Sequence, residues 1–461
     1  MEYIKEIRLT NTTYRNNQTI IDVNLNYCPF ANNTMSYAFN GCFNLISVTN
    51  INQNVINMSL AFWNCPNLIN APEIPNSVTN MYGTFSDCSN LVNAPEIPNS
   101  VTSMSMAFYN CYNLINAPEI PNSVTSMSWA FRSCEKLVNA PVIPNSVTSM
   151  SWAFSGCNNL VNGPDMSNAT SVTNMSDTFS DCYNLINVSV IPNNVINMYY
   201  TFDNCNNLVN VPEIPNSVTD MSSTFSGCSN LINAPVIPNS VTNMYGTFYD
   251  CSNLVNAPVI PNNVINMYYT FRNCSNLINA PVIPNSVTNM SNTFSGCLNL
   301  INVPVIPNSV TNIANVFAIC VNLVNAPEIP NSVTDMACTF WGCSSLVNAP
   351  EIPNSVTNIY GTFYWCSKLI NAPEIPNSVT NIANTFRNCS KLTGDIIIQS
   401  NKITNAIYCF NGTSLQKNVY IPFTYENNVN TLTYNSFINA GYTTDPSNRV
   451  NGVLLIDIAT L

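Results

Sequence analysis

Apolar residues recur along most of this chain at a fixed, short interval. From Val101 through Met104, Phe108, Cys111 and Leu114 the steps are 3, 4, 3 and 3, the spacing of a tight helical or 3₁₀ turn with one buried side. From Leu114 through Ala117 to Ile120 the spacing suits a short extended segment instead. The two prolines of Ala-Pro-Glu-Ile-Pro limit that segment, because proline supplies no ladder N–H. One unit therefore predicts a short parallel strand at Leu-[Val/Ile]-Asn-Ala and a turn at Pro-Asn-Ser. A second extended stretch at Val-Thr-Asn-Met and a tight helical turn through Phe-x-x-Cys complete it.

The stretch Cys88 to Asn110 is one such unit, and lightly edited copies of it run from about residue 35 to residue 392. In sixteen copies a Phe stands three residues before a Cys and a Leu three residues after it, from Phe39, Cys42 and Leu45 to Phe386, Cys389 and Leu392. Fourteen of the fifteen Cys-to-Cys intervals are 23 residues, and Cys157 to Cys182 is 25. Residues that repeat with such a period belong to stacked coils, each touching only its neighbours, so two extra residues in one loop are tolerated. The expected architecture is a repeat solenoid of 23-residue coils capped at both ends.

The ends depart from the period. Residues 1–34 carry Ile7-Arg-Leu-Thr and Thr19-Ile-Ile-Asp-Val-Asn-Leu, which alternate like half-buried strands and read as an N-terminal cap. The array, 35–415, closes with a degenerate unit, Ile403 to Thr413, in which Thr413 stands where the Cys should be. Residues 416–461 lose the period. Strands are expected at Val419-Tyr-Ile-Pro-Phe and Gly452 to Ile458, with a helix between Asn428 and Tyr442. This segment reads as a C-terminal cap, with an attachment or oligomerisation module as the alternative.

Composition narrows the function classes. Charged residues are only 8% of the chain, yet 46% hydrophobic and 10% aromatic residues predict order rather than disorder. The net charge of −11, with Lys and Arg few and dispersed, disfavours nucleic acid and anionic membrane surfaces. No apolar run reaches the roughly 20 residues of a membrane span. The N-terminus, Met1-Glu-Tyr-Ile-Lys-Glu-Ile-Arg, shows no apolar signal region, so export by that route is not expected from this stretch alone. Of 19 cysteines, sixteen occur once per unit, as a packing column would, with disulfides between neighbouring coils as the alternative. Zinc is not expected, since there is no CxxC pair and no histidine. Asn columns, such as Asn70, Asn93, Asn116 and Asn139, suit side-chain ladders from coil to coil.

The phrase Ile-Pro-Asn-Ser-Val-Thr-Asn-Met followed by Phe-x-x-Cys-x-x-Leu resembles the BspA-type leucine-rich repeats of bacterial and mycoplasma surface proteins. The 25-residue unit containing Ser171-Val-Thr-Asn-Met-Ser-Asp-Thr-Phe is similar to a related repeat of that group. The resemblance covers residues 35 to 415. This chain departs from it in placing Ala-Pro-Glu before Ile-Pro and in using Met where the family has Ile. It implies a leucine-rich-repeat solenoid and a role in adhesion to host or matrix molecules; similar repeats occur in phage and gut-bacterial proteins.

Catalytic candidates are few. Without histidine, Ser-His and Cys-His arrangements are absent. A carboxylate column does exist, at Glu73, Glu96, Glu119, Asp165, Glu213, Glu328, Glu351 and Glu374, interrupted by valines at 142, 190, 236, 259, 282 and 305. Uniform repetition suits a solvated face, or a weak cation-binding one, better than a single active site. A glycosidase pair is the remote alternative. No cofactor is implied.

Two columns vary where the others repeat. They lie two residues before the Phe and one residue after it, three apart, so on a helical turn they would share an outward face. Four of the five tryptophans fall there, with Trp365 adjacent. Trp, Tyr and Arg dominate binding hot spots, which marks two candidate patches. One collects Trp63, Met106, Tyr109, Trp129, Arg132 and Trp152; the other collects Trp341, Tyr360, Tyr364, Trp365 and Arg387. The competing explanation is that these aromatics only shield neighbouring turns. The expected function is a non-enzymatic binding or adhesion protein at a cell or virion surface, meeting a host or cell-surface protein or glycan. The alternatives are a structural spacer or fibre component of a phage virion and, remotely, a carbohydrate-active enzyme.

Overall fold

A computed structural model describes residues 14–25, 30–413, 417–422, 428–450 and 452–461. The chain forms two compact units, Met1–Leu231 and Ile232–Leu461. Within each, every copy of the sequence unit is one coil.

The coil is built from alternating hydrogen bonds. Around Phe131, the N–H groups of Ala130, Arg132, Cys134 and Leu137 donate to carbonyls three residues back, at 3.0–3.2 Å. The intervening N–H groups of Met127, Trp129, Phe131 and Ser133 donate to Ser149, Ser151, Ala153 and Ser155 of the next coil, at 2.7–3.2 Å. One set closes the turn and the other joins the coils, so the buried backbone is satisfied without a helix or a long ladder.

The tight turn expected through Phe-x-x-Cys therefore has its i to i+3 bonds, but it does not continue as a helical face. The residue two before the Phe holds φ between 50° and 64° in every coil from Tyr37 to Tyr408. The residue two after the Phe is also left-handed, with φ from 57° to 78°. Gly, Asn or Asp fills most of those second positions, as left-handed backbone favours. The parallel strand expected at Leu-Val-Asn shrinks to single bridges, such as Asn93 to Asn116 and Asn116 to Asn139. A second bridge column passes through Asn57, Asn80, Ser103 and Ser126. Prolines on one side and a turn on the other leave no room for more.

The core is a set of side-chain columns. In the first unit the Phe rings stack at 5.3–5.8 Å from Phe39 to Phe225. In the second they stack at 5.6–5.9 Å from Phe248 to Phe410, so the degenerate last unit still joins the column. Each buried Phe contributes about 1.5–3 kcal/mol by leaving water. The repeat cysteines are free, buried thiols, and Cys134 Sγ donates to the Phe108 carbonyl of the preceding coil at 3.1 Å. Burial pushes these thiols upward, Cys182 to about 12. Thr before the Phe, where present, donates to a Met or Ile carbonyl of the preceding coil, as Thr270 does to Met244 at 2.8 Å. The Asn ladder forms at Asn139 to Asn116 (2.9 Å) and Asn302 to Asn279 (2.7 Å).

At the N-terminal side, Tyr14 takes the place of a Phe. Its ring stacks on Phe39 at 5.0 Å, and its carbonyl accepts from Cys42 Sγ. The strand β1 (Asp22–Asn24) pairs in parallel with β2 (Ser47–Thr49). The expected strand at Ile7 to Thr10 lies outside the described residues. At the C-terminal side, β3 (Ile396–Ile397), β4 (Lys417–Ile421) and β5 (Val453–Asp457) form a parallel sheet in that order. A helix, α1 (Asn428–Asn439), crosses between β4 and β5. Tyr442 sets its ring edge against Phe410 at 5.7 Å, and its hydroxyl accepts from the Phe410 N–H.

Candidate binding surface

The left-handed residue two before each Phe and the residue one after it are brought together by the turn between them. At Trp129 and Arg132 a hydrogen bond from the Arg132 N–H to the Trp129 carbonyl, 3.2 Å, closes that turn. Because the next coil repeats the geometry, one side chain meets partners both three residues and about twenty residues away.

In the first unit this builds a compact cluster. The Trp129 and Trp152 rings stack at 5.0 Å and 20°. The Arg132 Cζ lies 4.4 Å from each of their centroids and 5.8 Å from that of Tyr109. Tyr109 meets Trp129 edge-on at 6.1 Å. All four side chains are half-buried. Met106, half-buried with φ 58°, precedes Trp129 in the same column. Trp63 does not join them: its indole N–H donates to Asp87 Oδ2 at 2.8 Å, and it makes no ring contact with the others. The patch expected to run from Trp63 to Trp152 thus divides.

Beyond Trp152 the same two columns turn acidic, with Asp177 before one Phe and Asp203 after the next. Burial, then the charge of Asp203, pushes Asp177 up to about 6, although Arg132 pulls it down. Burial likewise pushes Asp203 to about 6. No triad of His, Cys, Asp or Glu suited to a metal occurs among the described residues.

In the second unit Trp341 stacks on Tyr364 at 6.3 Å, and Trp365 tilts against Tyr364 at 6.1 Å. Trp365 is 53% exposed despite a φ of 64°, and Tyr360 is 42% exposed. The Arg387 Cζ lies 5.4 Å from Tyr364 and 5.0 Å from Tyr408, and its Nη1 donates to Asn384 Oδ1 at 3.1 Å. Tyr408 sits in the degenerate unit and was missed because its coil lacks the Cys. A third cluster was also missed: Arg272 lies 5.0 Å from Tyr269 and 5.9 Å from Tyr249. The signal for it was present, since Phe-Tyr followed 23 residues later by Phe-Arg occurs at Tyr109/Arg132, Tyr249/Arg272 and Tyr364/Arg387.

The carboxylate column is solvated, with Glu73, Glu96, Glu119, Glu351 and Glu374 exposed. The four valines of that column in the second unit are 84–87% exposed. Shallow clefts occur on this side. One of about 440 Å³ is lined by Pro118, Glu119, Pro141, Val142 and Asn145, and one of about 460 Å³ by Pro350, Glu351, Glu374 and Gln399. Each repeats the groove between successive prolines and encloses no buried titratable group.

A BspA type leucine rich repeat profile matches residues 31–138, 59–186, 105–232, 199–324 and 314–443. A leucine-rich repeat protein from Bacteroides ovatus ATCC 8483 is similar at 21% identity, over 95% of this chain and 92% of that one, with a TM-score of 0.39. A leucine rich cell surface protein from Faecalibacterium prausnitzii A2-165 is similar at 22% identity, over 82% of this chain and 87% of that one, with a TM-score of 0.37. A search of curated proteins finds no match. With one profile matching repeatedly along the same stretch in which the coils stack, the chain belongs to the family of BspA type leucine-rich repeat proteins.

Proposed function

We propose that the chain is a non-enzymatic binding or adhesion protein, displayed at a cell or virion surface, that meets a protein or glycan through its aromatic and arginine clusters. Membership of the family favours binding over catalysis. One observation carries the assignment to these residues. Arg132 is laid across Trp129 and Trp152 at 4.4 Å from each; Asp177 lies near enough to feel its charge, but its guanidinium makes no side-chain hydrogen bond among the described residues. A cation held on rings in a chain of net charge −11 leaves its hydrogen-bonding edge for a partner from outside.

A second reading keeps the cluster structural. Trp129 and Trp152 are half-buried and cover one another, so they also shield the turns beneath, as a passive spacer would need. Replacing Trp129 and Trp152 with Ala separates the two. Binding to host cells or to a glycan array should fall at least tenfold while the thermal transition persists. Undiminished binding by a folded variant would remove the aromatic face from the function and leave the spacer.

A further inference from the structure

Arg272 belongs to neither patch that the sequence singled out, yet it too lies against aromatic rings, those of Tyr269 and Tyr249. Besides Tyr269 and Tyr249, the rings of Tyr245 and Tyr268 lie 5.6 Å apart, Tyr268 and Tyr269 lie 3.9 Å apart, and Tyr245 meets Tyr269 edge-on at 6.1 Å. All four tyrosines and the arginine are half-buried. The Arg272 Nε is sealed from solvent and has no acceptor. Its Nη groups make no hydrogen bond among the described residues and, unlike Nε, are not sealed. A guanidinium that pairs with no carboxylate among the described residues, and whose open edge faces water, is arranged for an acceptor from outside.

The same two-coil arrangement occurs again in the same unit. Tyr245-Gly-Thr-Phe-Tyr precedes Thr270-Phe-Arg-Asn-Cys-Ser, and Tyr360-Gly-Thr-Phe-Tyr precedes Thr385-Phe-Arg-Asn-Cys-Ser, with five coils from one arginine to the other. Arg387 likewise lies over its tyrosine, at 5.4 Å, with a buried Nε that finds no acceptor. The core does not demand these outward residues, since other coils with the same Phe, Cys and Leu place Ser or Asn there. Five coil spacings of about 4.8 Å put the two arginines on the order of 24 Å apart.

We infer that Tyr249 with Arg272, and Tyr364 with Arg387, are two copies of one subsite for a carboxylate-bearing pyranose, so that an acidic glycan chain is held at two points. This rests on the binding reading above and names its ligand class for the second unit. The guanidinium edge takes the carboxylate, and the tyrosine faces take the apolar face of the sugar ring. A peptide would need enclosed pockets for its anchoring side chains, and the cleft lined by Pro350, Glu351 and Glu374 in this unit lies along a proline groove, away from the two arginines.

The test uses the full chain carrying Arg132→Ala, which removes the first-unit cluster. Calorimetry with sialyllactose, galacturonate oligomers, lactose and polyglutamate distinguishes a sialylated source from a uronate source, and both from a neutral sugar or an acidic peptide. Saturable binding of either acidic sugar at two sites is expected, with Arg272→Ala removing one and Arg272→Ala/Arg387→Ala removing both. A long galacturonate should also lose its avidity, tenfold or more, in either single variant. Unchanged melting shows that each variant is folded, and Tyr249→Ala repeats the test without touching the charge. No acidic-sugar binding, equal binding of lactose, binding of polyglutamate alone, or acidic-sugar binding that survives in the double variant would each overturn the inference. The Trp129→Ala and Trp152→Ala experiment is unaffected by any of these results, so the two readings fail separately.

Discussion

The guanidinium of Arg132 lies 4.4 Å from the ring of Trp152, a residue 20 positions later in the chain and one coil further along the stack. That contact exists only because the Trp129 and Phe131 N–H groups reach the next coil and fix its register. Each cation–π contact of this exposure is worth about 0.5–1 kcal/mol. Arg132→Ala should therefore lower the urea midpoint of a tryptophan-monitored transition by the equivalent of about 1 kcal/mol. Arg132→Lys should recover only part of it, since a point charge cannot lie flat on two rings.

Ile319 carries a β-branched side chain at φ 61°, in a column otherwise filled mainly by Gly, Asn and Asp. It is 39% exposed, so little packing offsets the strain. Ile319→Gly should stabilise the second unit by about 1 kcal/mol, because left-handed backbone costs an L-residue about 1–2 kcal/mol and glycine returns part of that as lost entropy. Chemical denaturation of the two proteins side by side would show it. A lower midpoint for the glycine variant would mean that the Ile319 side chain contributes more contact than its exposure suggests.

Asp177 and Asp203 are both pushed up to about 6, first by burial. Between the ordinary carboxylate value, about 3.9, and about 6 the folded chain holds protons that the unfolded chain has lost. Their contribution to stability is thus fully present below about pH 4 and is lost as pH rises through 6. Asp177→Asn should flatten the wild-type decline between pH 4 and 6, read as the difference in urea midpoints. Arg132→Ala should move the Asp177 titration, followed by NMR, further upward, because the guanidinium is what pulls it down.

The repeat thiols are buried and donate to carbonyls, and burial holds Cys389 up at about 12. Thiolate is the reactive form. In the native chain at neutral pH, iodoacetamide should label Cys338, which is only partly buried, before any column cysteine. The columns should become reactive together in denaturant. Mass spectrometry of the digested protein would read both, and early labelling of Cys134 or Cys205 would count against the packing described.

The sequence by itself determined which side chains are inside. Met104, Phe108, Cys111 and Leu114 are fully buried because a residue that must pack against its own copy in the next coil has to recur. Sequence read the variable columns as outward, but not all of their residues reach the surface: Ser86, Ser155, Ser223 and Ala318 in the same columns are buried. The backbone that carries them was decided by tertiary structure. Spacings of three and four fit a helical face, but the alternate N–H groups leave the local turn to bond the neighbouring coil, and the position two before each Phe is left-handed. Gly83, Gly246 and Gly361 in that column hinted at it, while Trp129 and Trp152 at the same position concealed it. Which outward residues touch was likewise beyond periodicity, since Arg132 and Trp152 or Arg272 and Tyr249 meet through the inter-coil bonds and not through local chain direction.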